Sequence, residues 1–290
     1  MPMQALVRSF HHADTGTWTH VLVDTATLRA AIIDPVLDFD AASGRVRADS
    51  ARRVLEYIGT TGLEVEWILE THAHADHLTA AAWLRATLSP RPRIGIGAGI
   101  GVVQRHFAEK LGLGADALDA ADFDARFGDG DTFEVGSLGV RVLATPGHTP
   151  DGVTYLAGDA AFIGDTLFAP RGGSARCDFP GASARTLFAS IQRLYALPTT
   201  TRLFLAHDYP PAGEAPIAET TVAAQREANI HVRADTSADD YVRLREARDA
   251  TLPVPKLLWP ALQVNIRGGR LPDPSANGTR FLQVPLHDQR

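Results

Sequence analysis

Cysteine is almost missing from the 290 residues: Cys177 stands alone, so no internal disulfide can form, and the disulfide frameworks of small secreted proteins are excluded. Lysine is nearly as scarce. Lys110 and Lys256 are the only two, so arginine carries the positive charge, and 28 basic against 34 acidic residues leave a net charge of −6. That balance argues against a nucleic-acid groove. The start has no basic residues leading into an apolar run, and no stretch approaches about 18 uninterrupted apolar residues. Neither a secretory leader nor a membrane partner is therefore expected, and the expected location is cytoplasmic. No repeat with a period of about 20–50 residues is visible, which sets aside solenoids and propellers.

A chain of this length can bury about three quarters of the surface it exposes when unfolded, enough for a core without covalent staples. Short branched runs, THVLVD (Thr19 to Asp24) and AAIIDP (Ala30 to Pro35), read as a hairpin of strands. Further short strands are expected at Val65 to Glu70, Arg93 to Ile96, Thr132 to Val135, Val140 to Leu143, Val153 to Leu156, Ala161 to Ile163 and Arg202 to Leu205. Helical spacing predicts helices over Asp49 to Tyr57, Leu78 to Leu88, Val102 to Leu111, Ala184 to Tyr195, Ala218 to His231 and Asp239 to Ala250. Asp116 to Gly130 reads as loop. Residues 1–250 are expected to form one catalytic domain. Residues 251–290, punctuated by proline, read as an extension laid over it with little room for long helices, anchored by Phe281, Leu282, Val284 and Leu286.

The densest chemical signal is Thr71-His72-Ala73-His74-Ala75-Asp76-His77, placed where a strand hands over to a helix. His72 and His74 share a face of an extended segment, and a turn can bring Asp76 and His77 back toward the same volume. A lone histidine is most often a surface or capping group. Four such groups together are costly to bury without a metal or a complete hydrogen-bond network. His148 in TPGHTPDG, Asp165 in IGDTLF and His207 in FLAHDYPP each follow a short apolar run, as strand ends converging on one rim of a sheet would. Spacing alone fits one metal ion or two.

THAHADH, TPGHTP, GDTLF and AHDY, in that order, resemble the metallo-β-lactamase superfamily. With IIDPVLDFD, ARCDFPG and QVNIRGGRLPDP they are most similar to bacterial persulfide dioxygenases related to the mitochondrial sulfur dioxygenase. The resemblance implies an α+β fold, a four-layer αββα sandwich with the metal between two mixed sheets. It also implies one Fe(2+) held by the residues matching His72, His148 and Asp165, with His74, Asp76, His77 and His207 lining the reaction pocket. Two imidazoles and a carboxylate on one face of iron leave adjacent positions for a sulfur anion and O2. The implied reaction turns glutathione persulfide, O2 and water into sulfite and glutathione. Superfamily hydrolases use the larger set for two Zn(2+), so a glyoxalase II-like thioester hydrolase is the enzymatic alternative. A non-catalytic metal or sulfur-binding module is the other.

A substrate with two carboxylates calls for cationic donors. The family pattern points first to Arg176 and to Tyr209, with Arg171 and Arg233 as further candidates. The bland account pairs Arg176 with Asp178 and packs Tyr209 as an ordinary aromatic. Arg171 to Ser174 departs from the pattern of the bacterial relatives by bringing in an arginine and two glycines. Cys177 is a candidate sulfur relay, weighed against plain packing of a small apolar side chain. A homodimer, the commonest closed assembly, and a rhodanese-like sulfur-transfer protein are the candidate partners.

Overall fold

Alternation along the strands sorts the apolar side chains onto two faces. In the computed structural model, which describes residues 5–114, 118 and 120–286, β2 (Thr17–Asp24), β3 (Arg29–Ile33), β6 (Glu64–Leu69) and β8 (Arg93–Gly97) form the middle of a first sheet. Val21, Val23, Ala30, Ile32, Ile68 and Ile94 point into one core, and their neighbours Leu22, Ala31, Ile33, Trp67 and Leu69 point into another. β1 (Leu6–His12) and β9 (Ala125–Phe127) close its edges, giving the order β1-β2-β3-β6-β8-β9.

The second sheet repeats the device. It runs β10 (Thr132–Val135), β11 (Leu138–Ala144), β12 (Val153–Ala157), β13 (Ala160–Phe162), β14 (Arg202–Phe204) and β15 (Glu219–Thr221). Ala160, Phe162 and Phe204 face the first sheet, while Ala161, Ile163, Leu203 and Leu205 face outward. Both sheets mix directions: β3, β6, β8 and β9 pair in parallel beside an antiparallel β1-β2-β3, and the single parallel pair of the second sheet is β13 with β14.

Helices cover the outer faces and complete three interlayer cores. α1 (Asp49–Thr61), α2 (Ala81–Thr87), α3 (Ile100–Lys110) and α7 (Leu258–Asn265) pack on the first sheet. α4 (Ala184–Tyr195), α5 (Val222–Ala228) and α6 (Ala238–Asp249) pack on the second through Leu187, Ile191, Leu194, Val222 and Tyr241. The result is the expected four-layer α+β sandwich of two mixed six-stranded sheets. Ser183, Thr221 and Ser237 each cap a helix of the second side by accepting a backbone N–H of the first turn. A small sheet, β5 (Arg45–Arg47), β4 (Val36–Asp40) and β7 (Leu78–Thr79), lies beside the histidine loop. Among the described residues no helix is long and apolar enough to cross a membrane.

Several boundaries differ from the sequence reading. The segment expected as a helix from Leu78 begins as β7, and only Ala81–Thr87 is helical. The helix expected over Ala218 to His231 shrinks to α5, because Glu219–Thr221 pairs with β14 and Asn229 turns extended. The stretch expected as loop contributes β9, recruited by parallel pairing with β8; its residues 116, 117 and 119 lie outside the described ones. In the C-terminal segment, Phe281, Val284 and Leu286 are exposed and only Leu282 packs on the core. The anchoring comes from α7, whose Ala261, Leu262 and Val264 are buried, helped by Ile266 just beyond it.

Candidate metal centre

The loop between β6 and β7 carries His72, His74, Asp76 and His77, all of them drawn to the cleft where the two sheets meet. Opposite, the second sheet supplies His148 from the β11–β12 connection, Asp165 from a short turn after β13, and His207 just after β14. Donor atoms of His72, His148 and Asp165 lie within 4.8 Å of one another, and so do those of His74, Asp76, His77 and His207. Asp165 stands between the sets, with Oδ2 3.6 Å from His148 Nε2 and Oδ1 3.4 Å from His207 Nε2.

Backbone geometry delivers the second sheet's donors. Gly147, at φ +137°, lets the TPGH turn approach α4 so closely that a Cβ there would sit 2.3 Å from the Leu187 backbone. Gly164, at φ +52°, plays the same part before Asp165, since a Cβ would meet the Thr71 hydroxyl at 2.8 Å.

One ring nitrogen of each of three histidines is tied to the protein, which aims the other at the cleft. Thr71 gives its hydroxyl proton to Asp34, so its oxygen accepts from His72 Nδ1 at 3.1 Å. His148 Nδ1 donates to the Arg176 carbonyl at 2.7 Å, and His77 Nδ1 to the Leu78 carbonyl at 3.1 Å. Burial, reinforced by the neighbouring histidines, holds His72 well below the usual imidazole range. Burial and His74 pull His77 down to about 3. Both therefore remain neutral at physiological pH, the form that can ligate.

His77 Nε2, His207 Nδ1 and Nε2, Asp76 Oδ2 and Asp165 Oδ1 are buried and have no hydrogen-bond partner. Each such orphan costs about 1–3 kcal/mol if nothing binds it. Five in one cleft, all nitrogen or carboxylate oxygen donors, fit one or two transition-metal ions, and the donor types suit iron and zinc alike.

Three supporting residues escaped the motif reading. Asp34, a non-glycine residue at φ +50°, accepts from the Thr71 N–H at 2.7 Å and lies 3.1 Å from His74 Nε2. Burial opposes a charge on His74, but the Asp34 carboxylate outweighs it and pushes the imidazole up to about 10. Glu70 approaches the same His74 nitrogen, at 3.9 Å, and accepts from the Thr79 hydroxyl; burial first and Asp34 second push its carboxyl up to about 8. Asn265, at the end of α7, donates to the carbonyls of both His74 and His77 at 2.7 Å and accepts from the Thr79 N–H at 2.8 Å. The only local hints were an acid closing each of two apolar strands.

A cavity of about 660 Å³ opens in front of Asp76, His148 and Asp165. Arg171, Arg176 and Tyr209 line it, whereas Arg233 is exposed beside Asp235 and lines neither this cavity nor the second large one. The Arg176 guanidinium forks onto Asp178 with both contacts at 2.6 Å, and Arg171 donates to Asp208 at 2.6 Å. Tyr209 stacks on His207, ring centroids 5.8 Å apart. Cys177 packs partly buried beside α6 and does not line the cavity; burial and Asp249 push its thiol up to about 12. A thiol so high is not a ready nucleophile.

Comparison with known proteins agrees with this layout. The metallo-beta-lactamase superfamily profile matches residues 17–207. A Beta-lactamase hydrolase-like protein of Agrobacterium fabrum is 51% identical over 94% of this chain, which spans 63% of that protein's length. Glyoxylase B2 of Dictyostelium discoideum is 40% identical over 99% of both chains. The mitochondrial Persulfide dioxygenase ETHE1 of Mus musculus is 28% identical over 93% of this chain and 91% of its own. The crystal structure of ETHE1 from Myxococcus xanthus superimposes with a TM-score of 0.72 at 30% identity, covering 91% of this chain and 100% of that one. Because the profile runs from the strand beside the cleft to His207 itself, and relatives at 40% identity share the full length, the chain belongs to the metallo-β-lactamase superfamily.

Proposed function

We propose that the cleft oxidises the terminal sulfur of glutathione persulfide, with O2 and water giving sulfite and glutathione, at one ferrous ion held by His72, His148 and Asp165. The supporting observation is a set of two imidazoles and one carboxylate whose donor atoms lie within 4.8 Å of one another, in a chain 30% identical to ETHE1 from Myxococcus xanthus over all of that structure. Bound there, iron would supply the electron exchange between a sulfur anion and O2 that zinc lacks. The Thr71 hydroxyl and the Arg176 carbonyl hold the two imidazoles in the tautomer that faces the ion. Asp76, His77 and His207 orient water beside the sulfur, and the rings of Phe168 and Tyr209 wall that side of the cleft against bulk solvent.

A second reading has its own support. Asp165 turns one oxygen toward each donor set, as a carboxylate shared by two ions would, and the more similar relatives carry hydrolase-type or glyoxylase names. Those names lean toward a two-zinc thioester hydrolase, in which Asp76, His77 and His207 hold the second ion. Anaerobic purification, metal counting, and parallel assays of oxygen uptake with glutathione persulfide and hydrolysis of S-lactoylglutathione separate the two. One iron with oxygen uptake is the expected result. Two zinc ions with thioester hydrolysis and no oxygen uptake would replace it with the second reading, and metal without either activity would leave a binding module.

A further inference from the structure

Five cationic side chains line the 660 Å³ cavity: Arg171, Arg176, Arg245, Arg248 and Lys256. Three are committed to the protein. Arg171 donates to Asp208 at 2.6 Å and has Glu214 at 3.7 Å. Arg176 is forked onto Asp178, and its remaining nitrogen donates to the Pro253 carbonyl at 2.7 Å. Arg245 is fully buried, bound to Asp249 at 2.6 Å and to the Ser174 carbonyl at 2.9 Å. Drawing any of these off its carboxylate would strand that carboxylate, buried in the cases of Asp208 and Asp249, and only Arg171, whose Nε has no hydrogen-bond partner, keeps a donor to spare. Arg248 and Lys256 are exposed, and their side chains have no ion pair or hydrogen bond among the described residues.

Apolar side chains share the lining with these two free cations. Tyr209, Ile230 and Val254 are 60–64% exposed, far more than side chains of their size usually are, and all three line this cavity together with Leu252 and Pro253. A cavity lined by donors that could hold a metal for a soft anion, by apolar side chains and by two unspent cations matches a thiol compound with separate carboxylates. Another large cavity, about 640 Å³ beyond Asp76 and His77, shares Lys256 with this one and sets Asp14, Asp38 and Asp40 against Arg45 and Arg47, so it offers a dianion no comparable surplus of unpaired cations.

We propose that Arg248 and Lys256 receive the carboxylates of a dianionic thiol substrate of the glutathione class, while Arg171, Arg176 and Arg245 brace the wall. This rests on the reading of the cleft as one that takes a thiol-derived substrate. Each contact is a charge-assisted hydrogen bond at a half-open rim, so removing one should weaken binding about five- to tenfold.

The test uses metal-loaded protein and S-methylglutathione, a thioether that neither reaction consumes. Calorimetric titration should show binding to the parent protein that weakens about five- to tenfold in Arg248→Ala and in Lys256→Ala, and further in the double variant. Lys256→Arg should retain it, and the dimethyl ester of the ligand should bind the parent as poorly as the diacid binds the double variant. In turnover the same substitutions should raise KM and leave kcat and metal content unchanged. Equal affinity of parent and double variant, equal affinity of diacid and diester, or no binding to the parent would each overturn the assignment. Binding that depends on both cations in a protein that consumes no oxygen would sustain the assignment and sink only the dioxygenase reading. Oxygen uptake with an unchanged KM in the double variant would do the reverse.

Discussion

The first sheet delivers four donors from one loop of six positions, whereas the second delivers three from three separate strand ends. Their supports differ as well. The loop is held by side chains from distant parts of the chain, Asp34 before it and Asn265 long after it. The opposite donors are held by backbone: glycines that let segments touch, and the Arg176 carbonyl on His148. A site assembled this way has one half fixed by side-chain hydrogen bonds and one half fixed by sterics, and the two halves should fail differently.

The largest effect should come from breaking the steric half. Gly147→Ala places a methyl group 2.3 Å from the Leu187 backbone at a φ of +137°. It should cost about 3–5 kcal/mol in urea unfolding, with the turn pushed off α4 carrying His148 out of reach. An unchanged midpoint would mean that α4 can retreat and that the glycine is not the constraint.

The side-chain half is tested by Asn265→Ala, which strips the His74 and His77 carbonyls and the Thr79 N–H of their partner. A loss of about 2–3 kcal/mol is expected. Chelator competition should show weaker metal retention, while hydrogen exchange in β11 to β14 stays as in the parent. Unchanged exchange in the loop, or intact metal affinity, would show that α7 only covers the sheet.

A smaller effect lies at the seam. His20 on β2 reaches across to the Leu205 carbonyl beyond β14 at 2.8 Å and meets Ser9 Oγ at 2.8 Å on its other nitrogen. Burial pulls its imidazole down to about 4 from the ordinary 6.5. The unfolded chain therefore takes up the extra proton first, and stability falls as pH drops from about 6.5 toward 4. His20 should account for about 2 kcal/mol of the difference in unfolding free energy between pH 7 and pH 5. His20→Gln should flatten that part of the profile, and a slope identical to that of the parent would assign the acid sensitivity elsewhere.

How much of this was legible beforehand follows the same division. The loop from His72 to His77 is a local pattern, and His148, Asp165 and His207 each follow an apolar run, so all seven were readable as chemistry. The alternating strands announced both sheets, apart from β1, whose polar LVRSFHH hides its strand character, and β9 and β15, which tertiary pairing imposes. α7 was hidden by Pro260. That proline falls in the first turn of the helix, where its missing N–H has no intrahelical partner to lose. Asp34, Glu70 and Asn265 act through distance in space and have no spacing rule to betray them. The cavity cations were the least legible, because which arginine is free depends on which carboxylates the fold brings alongside.

Asn265 stands 188 residues beyond His77. On the ribosome, the histidine loop is therefore finished long before the amide that fixes two of its carbonyls has been made. The first sheet can form around the loop in the meantime, but its donors stay loosely arranged until the late helix docks. A chain that ends before α7 is therefore expected to hold a metal more weakly than the full fold.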